Sequence, residues 1–209
     1  MSYNTMLADF NTILNRDDCS AAQAAVFIQQ GIGRIQRDCR LPSMEREQII
    51  TIGDAGANFV LLPTDLIQPI DLIWTSTTRQ VGGEPKALKK LPYRDLIRKS
   101  SLILPNWYGR MQSQYWIKGN LLFGEVLQIF YYGNFSNWAT PDSDNELSAS
   151  TPDLGVYAAL SYAGDYFECA LAAQWEARYQ TIKAEVIQMA EDLDAEGGEQ
   201  TMQPVYKWD

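Results

Sequence analysis

Residues 114–132 read Gln-Tyr-Trp-Ile-Lys-Gly-Asn-Leu-Leu-Phe-Gly-Glu-Val-Leu-Gln-Ile-Phe-Tyr-Tyr. Segments 114–118 and 121–123 flank Gly119-Asn120, a two-residue hairpin signal whose glycine supplies positive φ, and 126–132 reads as a third strand. Working outward toward the N-terminus, 48–52, 59–62 and 67–75 are short and rich in Ile, Leu, Val and Thr. They are separated by Gly53-Asp54-Ala55-Gly56 and by Pro63 and Pro69, the punctuation expected of strands joined by turns. Between these β segments, 92–99 reads as a short helix with proline in its first turn.

Both flanks are helical. Met6, Leu7, Phe10, Ile13 and Leu14 share one helical face, and Asp17-Asp18 interrupts that first helix. Ser20-Ala21-Ala22-Gln23 has the spacing of a capping box, and Ala21, Ala24, Ala25, Ile28, Ile32, Ile35 and Cys39 carry a second helix to Leu41-Pro42. Downstream, Thr151-Pro152-Asp153 supplies an N-cap, a proline at the first helical position and an acid in the first turn. Phe167, Leu171, Trp175, Tyr179, Ile182, Val186, Met189 and Leu193 then recur every three or four residues. One helix from 152 to 193 would be about 60 Å long, too long for a domain of this size, so a break is expected near Gly164 or just after Cys169. Gly197-Gly198 ends the element and leaves 199–209 as a tail.

This order of elements gives an α+β fold class: a helical bundle built from the N- and C-terminal helices, with an inserted β-rich subdomain. The expected boundaries are 1–40 for the N-terminal helices, 41–150 for the insertion, 151–196 for the C-terminal helices and 197–209 for an extended tail. A length of 209 residues suits one domain, or one domain with an insertion.

Composition removes several chemistries. The chain has no histidine, which leaves no Ser-His-Asp or Cys-His nucleophile system and no imidazole metal ligand. No cofactor is expected. Cys19, Cys39 and Cys169 are odd in number and form no C-x-x-C pair, which fits a reducing compartment and three buried or half-buried thiols. Neither a signal peptide nor an apolar run near the roughly 20 residues of a membrane span is evident, so a soluble intracellular chain with no membrane partner is expected.

Short motifs are weak. Gly31-Ile32-Gly33 opens like a dinucleotide fingerprint, but Gln36 stands where the third glycine belongs, and close helix packing over the two glycines explains them better. Asp142, Asp144 and Glu146 alternate as in a Ca²⁺ loop, but Leu147 occupies the position that requires glycine, and a solvated turn explains the same residues.

Charge is more informative. The net charge of −9 divides into −4 over 1–78, +7 over 79–118 and −12 over 119–209. Lys86, Lys89, Lys90, Arg94, Arg98 and Lys99 form either an ordinary solvated face or a heterologous contact, in which a positive surface of one subunit meets a negative surface of the next. Nucleic-acid binding by the block, with Tyr93 its only interleaved aromatic, is a weaker third reading. Trp107 and Tyr108 in one apparent loop, and Phe135 and Trp138 in another, are candidate subunit or tail-protein contacts, whereas Trp74, Trp116 and Trp175 are expected in the core. Tyr206 and Trp208 lie in the terminal tail, which is either a disordered end or a segment that orders on a partner.

Several phrases, taken in order, resemble the head-to-tail adaptor (connector) proteins of tailed bacteriophages. They are Ile35-Gln36-Arg37-Asp38-Cys39-Arg40-Leu41-Pro42-Ser43-Met44-Glu45, Leu61-Leu62-Pro63-Thr64-Asp65, Tyr115-Trp116-Ile117-Lys118-Gly119-Asn120-Leu121, Ile129-Phe130-Tyr131-Tyr132-Gly133 and Asp153-Leu154-Gly155-Val156-Tyr157-Ala158-Ala159-Leu160. The resemblance implies a non-enzymatic virion protein of the neck, assembled in the host cytoplasm as a ring, commonly of twelve copies. It would lie beneath the portal protein and above a tail or nozzle protein, with DNA passing through its lumen without sequence-specific binding. It also implies a portal-docking tail, here Thr201, Met202, Pro204, Val205, Tyr206 and Trp208. Two other readings stand beside it: a small carboxylate-dependent, glycan-active enzyme using acids such as Asp142 and Asp144, and a monomeric adaptor or chaperone binding one partner through its tail.

Overall fold

The computed structural model describes residues 1–54, 56, 58–76, 85–100 and 103–196, with side chains described as far as 192. In chain order its elements are α1 (Tyr3–Leu14), α2 (Ala21–Asp38), β1 (Glu45–Thr51), β2 (Phe59–Leu61), β3 (Leu66–Thr75), β4 (Lys86–Ala87), β5 (Lys89–Lys90) and α3 (Tyr93–Arg98). They continue with β6 (Trp107–Met111), β7 (Gln114–Lys118), β8 (Val126–Gly133), α4 (Glu146–Ser150), α5 (Pro152–Tyr166) and α6 (Ala172–Glu196). Together they make an α+β fold. The chain divides into two compact units, one helical (1–43 with residues from 135 onward) and one strand-rich (Met44–Asn134). The glycine cap at Gly197-Gly198 and the tail of 199–209 lie outside the described residues.

In the helical unit the local signals act as read. The Gln23 amide donates to Ser20 Oγ while the Ser20 amide donates to Gln23 Oε1, so the capping box is reciprocal. The helix ends at Asp38, three residues before the expected stop at Leu41-Pro42, and Cys39, expected on its apolar face, is already extended. The expected break falls between Tyr166 and Ala172. Met6, Phe10, Phe27, Ile28, Val156, Ala159, Leu160, Ala163 and Trp175 form one core. Gly31 lets α2 approach α5 closely: a Cβ there would stand 2.8 Å from the Ala159 amide nitrogen. Gly33 has no such role, since its nearest neighbour would be the Arg37 guanidinium at 3.5 Å. Arg34 fixes α2 to α6. Its guanidinium donates to both Glu176 carboxylate oxygens (2.8 and 2.7 Å) and to Ser161 Oγ (3.0 Å), and lies 4.2 Å from the Tyr179 ring centroid. The bidentate arginine holds the Glu176 carboxyl down at about 2.

The acidic segment before Thr151 is not only a turn. Asn145 caps α4 by accepting from the Ser148 amide (2.9 Å), and Ser148 Oγ in return accepts from the Asn145 amide (2.9 Å). Thr151 therefore closes α4 as well as opening α5, and its hydroxyl makes no capping bond.

The strand-rich unit is a sandwich of two four-stranded sheets, ordered β1-β8-β3-β4 and β2-β7-β6-β5. Every ladder is antiparallel except β5 with β6. Leu72, Trp74, Leu127, Ile129 and Tyr131 from the first sheet meet Val60, Tyr108, Tyr115 and Ile117 from the second in a single core. Within it, the fully buried Glu125 carboxylate accepts from Trp74 Nε1 (3.1 Å) and from the Leu122 amide (2.8 Å).

The hairpin expected at Gly119-Asn120 does not form. The chain turns instead at Gln112-Ser113 between β6 and β7, with Gln112 at φ +56°. After β7 it must cross to the other sheet to begin β8, so 121–123 is a connection, with Leu121 buried in the core. Gly119 is needed for another reason: at φ +143° it passes so close to Pro105 that a Cβ would lie 2.6 Å from that backbone. Trp107 and Tyr108 lie on a strand, not in a loop.

Candidate assembly surface

Alternation along β7 sends Tyr115 and Ile117 into the core, and burial pushes the Tyr115 hydroxyl up to about 12. Trp116, expected in the core, therefore faces outward and is half-buried. Its cross-strand partner on β6 is Gly109. A Cβ at Gly109 would stand 2.9 Å from the Leu91 carbonyl oxygen and 3.2 Å from Leu96 Cδ2, so the glycine makes room for α3 to lie on the outer face of the second sheet. Leu96 anchors that helix at 3% exposure.

A notch remains beside the helix. Asn58, Tyr93, Ile97, Trp116 and Lys118 line a cavity of about 220 Å³. The Trp116 ring lies 5.4 Å from Phe59 and 5.9 Å from Tyr93. Phe59, Leu61 and Ile97 are 43%, 64% and 58% exposed, which leaves apolar side chains open beside the notch. No sequence signal separates these residues from core residues, because a strand period does not tell which face is covered.

The basic block borders this face. Lys89 and Lys90 are exposed on β5, the edge strand paired to β6. Arg94 and Arg98 stand one turn apart on α3, both exposed, and the Lys99 ammonium lies 5.3 Å from the Trp107 ring centroid. Lys86 is half-buried on β4 and donates to Asn106 Oδ1. Lys89, the register partner of Trp107, shares its face of the sheet and Lys99 meets the Trp107 ring, whereas Lys90 stands opposite the core residue Tyr108.

The other candidate aromatics are placed elsewhere. Tyr108 is a core residue at 3% exposure, its hydroxyl raised by burial and secondarily by Asp71. Phe135, at 7%, and half-buried Trp138 belong to the helical unit, where Trp138 meets Tyr3 edge-on at 5.1 Å. These two residues line a groove of about 530 Å³ with Tyr3, Gln29, Gln36 and Asn145. Among the described residues, no carboxylate lines it. Asp142 is engaged by the Asn4 amide at 2.7 Å, and Asp144 lies 3.4 Å from the Met1 amino nitrogen. Among the described residues, no group of three or more Cys, Asp or Glu is placed to hold a metal ion, and no helix is long and apolar enough to cross a membrane. Thr201, Met202, Pro204, Val205, Tyr206 and Trp208 lie outside the described residues.

A family model described as SU10 adaptor protein matches residues 1–204, which takes in both units. The chain belongs to the SU10 adaptor family. This agrees with the head-to-tail adaptor resemblance and makes the chain a bacteriophage adaptor, a virion protein of a structural family. No curated protein matches the chain.

Proposed function

We propose that copies of this chain assemble head to tail into a ring, twelve copies being the expected number, between the portal and the tail or nozzle protein of the particle. DNA passes through the lumen of that ring. The observation that carries the reading is the set of exposed basic residues Lys89, Arg94, Arg98 and Lys99 on the sheet and helix that also leave Phe59, Leu61 and Ile97 exposed, in a family of phage adaptors. Surfaces of this kind serve heterologous contacts, which close into rings when the rotation allows.

The charge of the two units supports the same reading. The strand-rich unit carries ten basic and eight acidic residues (net +2), while the rest of the chain carries seven and eighteen (net −11). A strongly acidic surface repels the DNA backbone, which suits a channel wall along which DNA slides. The terminal segment, with Tyr206 and Trp208, supplies the aromatic anchors for the portal. Assembly takes place in the host cytoplasm, and the finished ring resides in the neck of the particle.

Light scattering on the purified chain, alone and with its portal, tests the proposal. Rings, or portal-bound rings, are expected; a chain that stays monomeric at high concentration with portal present refutes it. The carboxylate-enzyme reading names Asp142 and Asp144, and it is disfavoured because Asp142 is engaged by the Asn4 amide and Asp144 by the Met1 amino group, outside the lining of the groove at Phe135 and Trp138.

A further inference from the structure

The ring reading leaves open which surface of the neighbouring copy meets the basic notch. The sandwich has a second outer face, on the opposite side of its core, and that face has the opposite charge. On β1, Glu45, Glu47, Ile49 and Thr51 alternate outward and are all exposed, Ile49 at 60%. Across the first sheet Glu45 pairs with Tyr132, Glu47 with Phe130, and Phe130 with Asp71. A shift of register between Pro69 and Asp71 leaves Ile70 out of the ladder and 47% exposed. A shallow cavity of about 510 Å³ is lined there by Glu45, Arg46, Glu47, Ile70, Asp71 and Phe130, Arg46 being paired with Asp65 at 3.4 Å. Three carboxylates against one arginine, already paired within the unit, make this face net acidic beside the apolar Ile70 and Phe130.

The two outer faces of this sandwich are complementary. Each presents aromatic and aliphatic residues, with Glu45, Glu47 and Asp71 on one and Arg94, Arg98, Lys99 and Lys118 on the other. Both belong to one compact unit with one core, so each copy offers both halves of the contact in a fixed relation. We infer that the strand-rich units join copy to copy, the acidic face of the first sheet of one copy seating on the basic notch of the second sheet of the next. This inference rests on the ring reading and names the partner surface within it. The second copy is the favoured occupant because the two faces match in both apolar content and sign. The same face cannot pair with itself, since acidic would then meet acidic, so the contact is heterologous.

A charge exchange tests it in the full-length chain. R94E/R98E reverses the notch and E45K/E47K reverses the facing surface; all four residues are exposed, and circular dichroism verifies that each variant keeps its fold. Each double variant alone is expected to need at least about tenfold more protein to assemble, alone or with portal. Mixing the two is expected to restore rings of alternating copies, because each reversed face then meets its reversed counterpart. A merely destabilised protein would not be rescued by mixing. Normal assembly by each double variant while the wild type forms rings overturns the inference and leaves the ring reading intact. So does failure of the mixture. Rings that form unchanged but no longer join portal or tail assign the faces to those partners and also overturn it. A wild-type chain that never assembles overturns both readings.

Discussion

Two glycines two positions apart on α2 should respond to the same substitution with opposite signs. At Gly33 an added methyl group meets nothing closer than the flexible Arg37 side chain at 3.5 Å, so G33A gains the helix propensity of alanine, up to about 1 kcal/mol. At Gly31 the same methyl group stands 2.8 Å from the Ala159 nitrogen, 3.0 Å from the Ala158 carbonyl carbon and 3.1 Å from Ala159 Cα. All three are backbone atoms of α5, which cannot rotate aside. Reaching an ordinary 3.4 Å contact requires α2 and α5 to part by about 0.6 Å across a close-packed core. Overpacking of that kind costs about 3 kcal/mol at the upper end of its usual range, and the propensity gain offsets about 1, leaving a net loss of about 2. For a chain of this size about 2–4 °C accompanies each kcal/mol. Thermal melting monitored at about 222 nm should therefore show G33A rising by about 2–4 °C and G31A falling by about 4–8 °C. If G31A melts at or above the wild-type temperature, the close approach of the helices is not what holds glycine there.

Other contacts can be tested in the same way. E176Q removes a carboxylate held at about 2 by Arg34; because the Glu176 side chain is 40% exposed, solvent screening limits the loss to about 1 kcal/mol at neutral pH. A depressed carboxyl contributes above its unfolded value near 4.5 and loses that contribution as pH falls toward 2, so the wild-type advantage over E176Q should shrink across that window in urea titrations. E125A leaves the Trp74 indole N–H and the Leu122 amide without their shared acceptor inside a core and should cost about 3 kcal/mol, with a change in tryptophan fluorescence that E125Q largely avoids. G109A should displace α3 from β6, lower stability by about 1–3 kcal/mol and weaken copy-to-copy assembly measured by light scattering. Deleting 199–209 should abolish capture of the portal in a pull-down while leaving the melting temperature of the chain within about 1 °C.

The features legible in the sequence are those that depend on near neighbours. The Ser20–Gln23 box and the break between Tyr166 and Ala172 are set by residues within one or two turns and form where expected, while the second helix stops at Asp38, three residues short of Leu41. The turn at Gly119-Asn120 fails because the glycine answers to Pro105, fourteen positions earlier, and no local pattern records that. Trp116 escapes the core because a strand shows two faces of equal period, and only the packing of the second sheet decides which is covered. The basic block is visible as composition, but its meeting with Trp107 needs the parallel β5–β6 pairing. The apolar half of the surface, Phe59, Leu61 and Ile97, carries no mark that would separate it from core.

The pairing of Glu45 with Tyr132 places the start of the first strand of the sandwich beside the end of its last, only about 4.5–5.5 Å apart at their Cα atoms. The chain thus enters and leaves this unit through a single doorway. For the helices, ninety-one residues of insertion count as little more than a short loop, because the ends they must join are already neighbours. The sandwich is in this sense a cassette: its faces can be recut to suit a different neighbour, or exchanged whole, without asking the helical bundle to refold.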